Sequence, residues 1–412
     1  MELGNLYKGF YRVIAQDDDR GRDENDVGAP APTEQAVGTA AQRRQRNRRR
    51  AGKGKEPMSV ELYRAICGWF LACNTIEGVF AYCFIVLTWN LTCRAHNTEK
   101  IKFRNIKWTA FDCYEVYFGH TKTDQLGDDA KHARHMFANP LDPLVSPVFA
   151  LSLYLSCCFN SEQALDNLLF PGKNQYDRFS KALAKVLDDH TAEVYLMGYC
   201  VGDVGTHSIR KGVISYLASQ PGGPPAASIC IRAGWTMGKV KDIYMQYIVA
   251  GDQFVGRCLS MLPLQSPEFG CSAAYFSDSV SGVLLEDLVS NQFRFVQRMD
   301  GYGRLSKMCL ASLLYHRDYI ATLDYNHVIR QTSMVLRSEL VVDYLHANPA
   351  AIVVSRPWDD HTHHFNGIPP HVTTLHELMQ VKTKQRGLIF FVLYPYEYSG
   401  RSRPPKFCLT TQ

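Results

Sequence analysis

The longest apolar run of the chain, Gly78 to Trp89, is the feature that most limits how this sequence can fold. It spans 12 residues, whereas a helix needs about 20 apolar residues to cross a bilayer. Its apolar side chains fall on most faces of a helix, so no face is left for solvent. The run therefore predicts a helix buried in a globular core, and we expect no membrane partner.

The positive charge of the chain is concentrated in one short segment. The 412 residues carry a formal net charge of +5, and 46% of them are hydrophobic, which is typical of one or two globular domains. Residues 43–55 hold six Arg, two Lys and no acid, so they contribute +8 and leave −3 for the rest. Because residues 15–56 offer almost nothing to a core, we expect 1–56 to be a disordered basic arm.

The arginines of this basic arm predict contact with an anionic partner. They are Arg43, Arg44, Arg46, Arg48, Arg49 and Arg50. Their charge density fits an arm that binds DNA phosphates, a nuclear-import signal or a solvated spacer. Charge alone leaves all three interpretations open.

Cysteine usage points to a reducing compartment. The chain has 13 cysteines, an odd number, and no Cys-x-x-Cys pair. We therefore expect free cysteines that pack as small apolar side chains in an intracellular protein. The N-terminal sequence MELGNLYKGFYRV has no basic flank followed by an apolar core, so no secretory signal is expected.

Periodicity predicts an α+β fold that is mainly α. Two helices are expected within 62–87, and others over 143–158, 175–189, 206–218, 225–234 and 238–249. Alternating aromatic and β-branched residues over 101–138, broken by turn signals, predict a small three-stranded antiparallel sheet. We expect one domain over 57–263 and a separately packed, mixed C-terminal region over 264–412, with helices at 283–299, 302–316 and 371–384.

The segment THSIRKG at 206–212 is the first candidate for chemistry. Thr206 is the expected N-cap of a helix whose buried side includes Ile209 and Val213. His207 and Arg210 then lie one above the other, where both can reach one anion. A His-x-x-Arg pair alone is weak evidence, because chance supplies a second copy here, HVIR at 327–330.

The residues that follow distinguish the two copies. After Arg210 comes Gly234-Trp235, and Tyr244 lies nine residues beyond the Trp. No Gly-Trp or Gly-His turn with a Tyr at that offset follows the second copy. We therefore predict a structural role for His327 and Arg330, and a functional one for the first copy.

The order His-x-x-Arg, Gly-Trp and Tyr resembles the second half of the active site of tyrosine recombinases. That resemblance implies an Arg at the end of a buried helix before the sheet, a place taken by Arg94, and a Lys on the turn between the second and third strands, a place taken by Lys122. More narrowly, the phrases LTWNLTCR, HTKTDQ, LFPGKNQYDRF, THSIRKG, RAGWTMG and GDQFVGR are similar to Crypton-type recombinases of eukaryotic DNA transposons. The likeness runs from about Pro57 to Pro263, and FNGIPPHV at 365–372 extends it.

This resemblance implies a tyrosine-recombinase catalytic domain that cleaves and rejoins double-stranded DNA in the nucleus and mobilises or integrates a DNA element. It implies four protomers on two duplexes, with no cofactor, metal or small-molecule substrate. Arg94 and Arg210 would hold the phosphate, and Trp235 would donate its indole N–H. His207 would donate to the phosphate or accept the phenol proton of Tyr244, the nucleophile, while Lys122 would protonate the leaving oxygen.

Each residue also has a structural interpretation. Arg94 would cap its helix against the dipole, Trp235 would anchor the core, and Tyr244 would pack beside Tyr247, which is the rival nucleophile. A catalytically silent DNA-binding protein derived from a recombinase and a type IB topoisomerase are the alternative functions. The family's usual core-binding domain before the catalytic domain has no counterpart in 1–56, so the arm replaces it or the copy is shortened.

Two other patterns predict no site. His361, His363 and His364 lack a helical HExxH or a Cys/His framework, so a polar loop is the expectation. The GKGK segment at 52–55 lacks the leading Gly and the Ser/Thr of a phosphate-binding loop, which argues against an ATPase.

Overall fold

A computed structural model describes residues 54–108, 113–118, 133–158, 167–235, 248–293, 302–324 and 326–355. The chain divides into two compact units, Met1–Gly367 and Ile368–Gln412, and every described residue belongs to the first. Several predictions lie outside the described residues: the six arm arginines, Lys122, Tyr244, Tyr247, the histidines at 361, 363 and 364, and the helix over 371–384.

The described elements agree with the predicted order where the two overlap, whereas the helix predicted over 238–249 lies almost entirely outside the described residues. The first domain has α1 Val60–Ala72, α2 Ile76–Leu91, α3 Ala95–Glu99, β1 Ile106–Trp108, β2 Cys113–Val116, β3 Arg134–Phe137, α4 Pro147–Cys158, α5 Gln175–Asp189, α6 Thr191–Leu196, α7 Thr206–Ser219, α8 Ala226–Arg232 and α9 Ile248–Leu259. Then come β4 Tyr275–Phe276, α10 Gly282–Gln292, α11 Gly303–Tyr315, α12 Arg317–Ala321, α13 Val328–Thr332, α14 Met334–Arg337, α15 Glu339–Ala347 and β5 Ile352–Val353. The prediction of a mainly helical fold with a small antiparallel sheet is confirmed.

Helix α2 is the buried centre of the domain. Every residue from Gly78 to Leu91 is buried, which confirms the prediction made from the apolar run. Helices α1, α4, α5, α7 and α9 and strand β3 all pack against it. Thr75 caps its N-terminus by accepting from Gly78 N–H at 3.0 Å. Its last turns are held by aromatic stacking of Trp89 on Tyr63, with ring centroids 4.1 Å apart.

The three-stranded sheet is antiparallel in the order β1-β2-β3, as predicted. Ile106 lies opposite Val116 in the first pair of strands, and Cys113 opposite Phe137 in the second. Strand β3 lies directly on α9, where a Cβ on Gly256 would be 2.3 Å from the His135 carbonyl oxygen. The edge strand β3 is therefore fixed between the sheet and the helix that follows the predicted nucleophile.

The start of α7 differs from the prediction. Thr206 is the first helical residue, and the N-cap is Gly205, so the expectation that Thr206 caps the helix is wrong. The reason is local: Ser208 Oγ accepts from Gly205 N–H at 3.0 Å, while the Thr206 hydroxyl hydrogen-bonds with the Tyr176 hydroxyl at 3.1 Å. The buried side of the helix is as predicted, with Ile209 at 0% exposure.

Packing continues across residue 263. Tyr302 donates its hydroxyl hydrogen bond to the Phe103 carbonyl, and Gln292 Nε2 donates to Ser156 Oγ at 2.6 Å. Helix α11 lies against α4. The described part of 264–355 thus belongs to the same compact unit as the described part of 57–263, and the domain boundary at residue 263 stays a prediction.

One glycine lets α1 and α2 approach closely, and it yields a stability prediction. A Cβ on Gly78 would lie 2.3 Å from the Phe70 carbonyl oxygen, whereas one on Gly68 would meet nothing within 4 Å. We expect Gly78→Ala to lower the free energy of unfolding by about 1–3 kcal/mol through overpacking. The matched change Gly68→Ala, in the interior of α1, is expected to raise it by about 0.5–1 kcal/mol. Urea unfolding followed by circular dichroism measures both, and equal effects would contradict the packing assigned to Gly78.

Candidate functional site

Arg94 lies on the turn that ends the buried helix. Thr92 takes up a left-handed conformation with φ 51° and stops α2, and its N–H donates to the Trp89 carbonyl. Arg94, half-buried, is then the N-cap of α3, where its carbonyl accepts from Asn97 N–H at 2.7 Å and Thr98 N–H at 3.3 Å. The two helix ends therefore fix the backbone of Arg94 at the edge of the apolar core.

Arg210 and Trp235 meet at the turn that follows α8. Arg210 is 7% exposed on α7, and its Nη2 donates to the Ala233 carbonyl oxygen. Its guanidinium carbon lies 5.7 Å from the centroid of the Trp235 ring, within the range of a cation–π contact. The structure thus brings together two residues that are well separated in the chain.

The turn that carries Trp235 is a glycine-dependent helix ending. Gly234 has φ +69°, its N–H donates to the Ile231 carbonyl at 2.8 Å, and Trp235 N–H donates to the Cys230 carbonyl at 2.9 Å. This is the Schellman pattern, which glycine adopts without steric cost. The Gly-Trp pair recognised in the sequence therefore has a conformational reason for its glycine.

Cys93, the residue before Arg94, lies within electrostatic range of Arg134 and Arg210. Burial raises the pKa of the Cys93 thiol, and the positive charges of Arg134 and Arg210 act against that rise. Both guanidinium groups must therefore lie within electrostatic range of the residue that precedes Arg94.

His207 lies on a helix turn that other contacts join to the short helix after Arg94. It is exposed on the first turn of α7, next to Thr206, whose hydroxyl bonds to Tyr176. The Tyr176 ring stacks on His96 of α3, with centroids 3.7 Å apart. Glu99 Oε2 also accepts from Tyr176 N–H at 2.8 Å. Helix α5 therefore ties the short helix after Arg94 to the first turn of α7.

The structure describes four of the six predicted site residues, and their catalytic roles stay predictions. Arg94 and Trp235 lie on turns that follow helices, and His207 and Arg210 lie in the first part of α7, whereas Lys122 and Tyr244 fall outside the described ranges. The second His-x-x-Arg copy is structural, as predicted: His327 is 2% exposed, its Nε2 donates to the Leu71 carbonyl at 2.7 Å, and its Nδ1 accepts from Ile329 N–H.

A buried ion pair that no sequence pattern predicted lies next to the Trp235 turn. Arg232, at 2% exposure, bonds through Nη1 to Asp252 Oδ1 at 2.6 Å, and through Nη2 to the carbonyls of Asn90 and His135 at 2.7 and 2.8 Å. Asp252 Oδ2 accepts from both the N–H and the Nδ1 of His135 at 2.8 Å. Burial alone would raise the pKa of Asp252, but Arg232 and His135 outweigh it and lower that pKa to about 2.

This ion pair holds α9, the helix that follows the predicted nucleophile in the sequence. Asp252 is on α9, which begins at Ile248, four residues after Tyr244. The pair joins α9 to α8, β3 and the end of α2. In the sequence, the only sign of this pair is the charged Arg232 just before Ala233-Gly234-Trp235. The sequence does not indicate that Asp252 is its partner.

The described part of the chain holds no cluster of three or more His, Cys, Asp or Glu side chains that could bind a metal ion. The twelve cysteines within it are free. Across the described helices, none has both the length and the apolar character needed to cross a membrane.

Comparison with known proteins gives two structural likenesses. The chain is similar to an FLP recombinase in complex with a Holliday junction, with a TM-score of 0.39 and 13% identity over 67% of each chain. A Flpe mutant in complex with a DNA Holliday junction gives a TM-score of 0.38 and 11% identity, over 69% of this chain and 70% of that one. No family model and no curated protein matches the chain.

Loss of the Asp252 carboxylate should destabilise the whole domain. Asp252→Asn leaves Arg232 buried beside a neutral partner, which we expect to cost about 3–5 kcal/mol. The partly exposed pair Arg64–Asp142 is the matched control, and Asp142→Asn should cost less than about 1 kcal/mol. Urea unfolding at pH 7 measures both, and similar losses would contradict the assigned role.

The same carboxylate predicts an acid limb of stability. Because the folded-state pKa of Asp252 is about 2, below its ordinary 3.8, its contribution is complete above about pH 4 and is lost as the pH falls towards 2. The free energy of unfolding of Asp252→Asn should therefore depend less on pH in that window than that of the wild type. Parallel pH profiles would refute the assignment.

Proposed function

We propose that this protein is a DNA strand transferase of the tyrosine recombinase type, which cleaves and rejoins DNA through a 3′-phosphotyrosyl intermediate. The observation that carries the proposal is the meeting of Arg210 and Trp235 at the turn after α8. Arg134 links this turn to the end of α2 before Arg94, because it bonds to the Leu91 carbonyl and its Nη2 lies 3.7 Å from the position that a Cβ on Gly234 would occupy. Together these side chains offer guanidinium and indole N–H groups, which are donors suited to a phosphodiester.

The two arginines would stabilise the charge that develops during attack. A phenol that attacks a phosphodiester builds negative charge on the non-bridging oxygens, and donors held in place before the reaction stabilise that charge most. Arg210 is nearly buried and is oriented by the Ala233 carbonyl, so its guanidinium needs little reorganisation. In this proposal Arg94 is the second donor, and Trp235 contributes one N–H.

His207 and the first turn of α7 would face the same phosphate. Helix α7 has 14 residues, and the N-terminal end of such a helix carries partial positive charge that favours anions. His207 is exposed on that turn, so it is accessible to a bound phosphate. It would donate to an oxygen or accept the proton that Tyr244 releases.

The covalent step balances without an outside energy source. The Tyr244 oxygen forms a bond to phosphorus as the bond from phosphorus to the 5′-oxygen breaks, and Lys122 protonates that 5′-oxygen. The phosphotyrosyl ester conserves the free energy of the cleaved phosphodiester bond. A 5′-hydroxyl can therefore attack the phosphorus in reverse and rejoin the strand. The scheme itself requires neither ATP nor a metal ion.

The basic arm would bind DNA phosphates close to the cleavage site. Residues 54–59 are held on α7 by hydrogen bonds from Met58 N–H to the Ser208 carbonyl at 2.9 Å and from Lys211 Nζ to the Lys55 carbonyl at 3.0 Å. A Cβ on Gly212 would lie 2.0 Å from the Met58 carbonyl oxygen, so this contact is close. An extended chain covers about 3.5 Å per residue, so Arg50 could reach roughly 18 Å from Lys55.

The wider biological role follows from the same proposal. A nuclear protein that exchanges strands between two duplexes would need four active sites, and hence a tetramer on DNA. Mobilisation or integration of a Crypton-like DNA element is the reaction that we propose for it.

Cleavage can be tested with a nicked suicide duplex that carries candidate element ends. We expect the wild type to form a covalent adduct in EDTA that survives denaturation, Tyr244→Phe to form none, and Tyr247→Phe to match the wild type. Gel analysis of labelled DNA measures the yield. DNA binding without any adduct would instead support a catalytically silent protein, and loss of the adduct only in Tyr247→Phe would move the nucleophile to Tyr247.

The arm can be tested through the salt dependence of DNA binding. Changing its six arginines to Gln should reduce the slope of log affinity against log salt by about 0.9 for each phosphate that the arm no longer neutralises. The control changes the same six residues to Lys, which keeps the charge and should keep the slope. An unchanged slope in the Gln variant would leave the arm as a spacer or an import signal.

A further inference from the structure

Arg134 is a half-buried arginine that the sequence analysis did not single out. It is the first residue of β3, and its Nη1 donates to the Leu91 carbonyl at 2.7 Å. Its guanidinium carbon lies 4.7 Å from the centroid of the Phe118 ring. A guanidinium has five N–H donors in a rigid plane, so a carbonyl on one side and an aromatic face on the other set its orientation.

The opposite edge of this guanidinium faces the turn that carries Trp235. Arg134 Nη2 lies 3.7 Å from the position that a Cβ on Gly234 would occupy. Arg210 donates to Ala233, the residue before Gly234, so the two guanidinium groups approach one turn from different elements. Both also act electrostatically on Cys93.

Arg232 provides an internal comparison for a purely structural arginine. It is fully surrounded, and a carboxylate and two carbonyls occupy its terminal nitrogens. Arg134 lies nearer to the surface, beside the proposed phosphate donors, and keeps partial exposure. Two guanidinium groups that converge on one glycine turn create a local positive potential, and phosphate oxygens are the ligands that such a pair binds best.

We infer that Arg134 is a further phosphate-binding residue, which holds the scissile phosphate together with Arg210 across the Ala233–Trp235 turn. The inference rests on the proposed function and extends it. Gly234 has no side chain, so a bound phosphate can approach the turn at the point where both arginines reach it. The Leu91 carbonyl holds Arg134 in place before DNA binds.

The first test compares a phosphodiester with a neutral methylphosphonate at the cleavage position. A residue that neutralises phosphate charge matters less when that charge is absent. Arg134→Gln should therefore lower adduct formation on the order of 100-fold on the phosphodiester, and only a few-fold on the methylphosphonate. Arg134→Lys, which keeps the charge, should recover part of the activity.

The matched control is Arg178→Gln on α5. Arg178 also lies over an aromatic ring, 3.9 Å from the Phe80 centroid, and it pairs with Glu77 near the start of α2. Glu77 and Leu91 are about 20 Å apart along the helix. Arg178→Gln should therefore leave adduct formation unchanged on both substrates. If Arg134→Gln lost adduct formation equally on both substrates, Arg134 would have a structural role and the inference would be overturned. Adduct formation at the wild-type rate would overturn it as well.

A second readout separates this inference from the proposed function. Calorimetry measures the binding of orthovanadate, a phosphate-shaped anion, without any cleavage. Weaker binding by Arg134→Gln than by the wild type and Arg178→Gln supports the site even if no DNA adduct ever forms. Equal binding by Arg134→Gln, or no binding by the wild type, overturns it. If circular dichroism shows that Arg134→Gln is unfolded, Arg134→Met, which also removes the charge, takes its place in both assays.

Discussion

One buried charge, the guanidinium of Arg232, organises the structure around the site. Its terminal nitrogens bond to Asp252 and to the carbonyls of Asn90 and His135, which lie on three other elements. A buried guanidinium without its carboxylate would cost several kcal/mol. This charge is therefore paired only when four elements are in place together, namely α2, α8, α9 and β3.

The candidate site forms where the apolar core ends. Leu91 is the last residue of α2, and Ala233 is the C-cap of α8. The carbonyls of a helix C-terminus lack partners within the helix and favour cations. Arg134 and Arg210 donate to these two carbonyls. The same bonds that complete the helices thus orient the two guanidinium groups, so stabilisation and preorganisation have one physical origin.

Local patterns in the sequence predicted much of this fold, and non-local pairing limited the rest. The run from Gly78 to Trp89 predicted α2 because burial on all faces leaves a signature in the sequence itself. The resemblance to a family, and not any periodicity, implied that Arg210 and Trp235 would share a site, and the guanidinium carbon lies 5.7 Å from the ring centroid. By contrast, Arg134 bonds to Leu91, 43 positions away, and Arg232 bonds to Asn90, 142 positions away. No periodicity encodes which carbonyl an arginine will reach.

The central claim is that a tyrosine just before α9 becomes covalently joined to DNA, and mass spectrometry tests it most directly. Trypsin digestion of an adduct should yield the peptide of residues 242–257, which contains both Tyr244 and Tyr247. The account predicts fragment ions that place a 3′-linked nucleotide on Tyr244. A nucleotide on any other residue, or one linked through its 5′-phosphate, would contradict it.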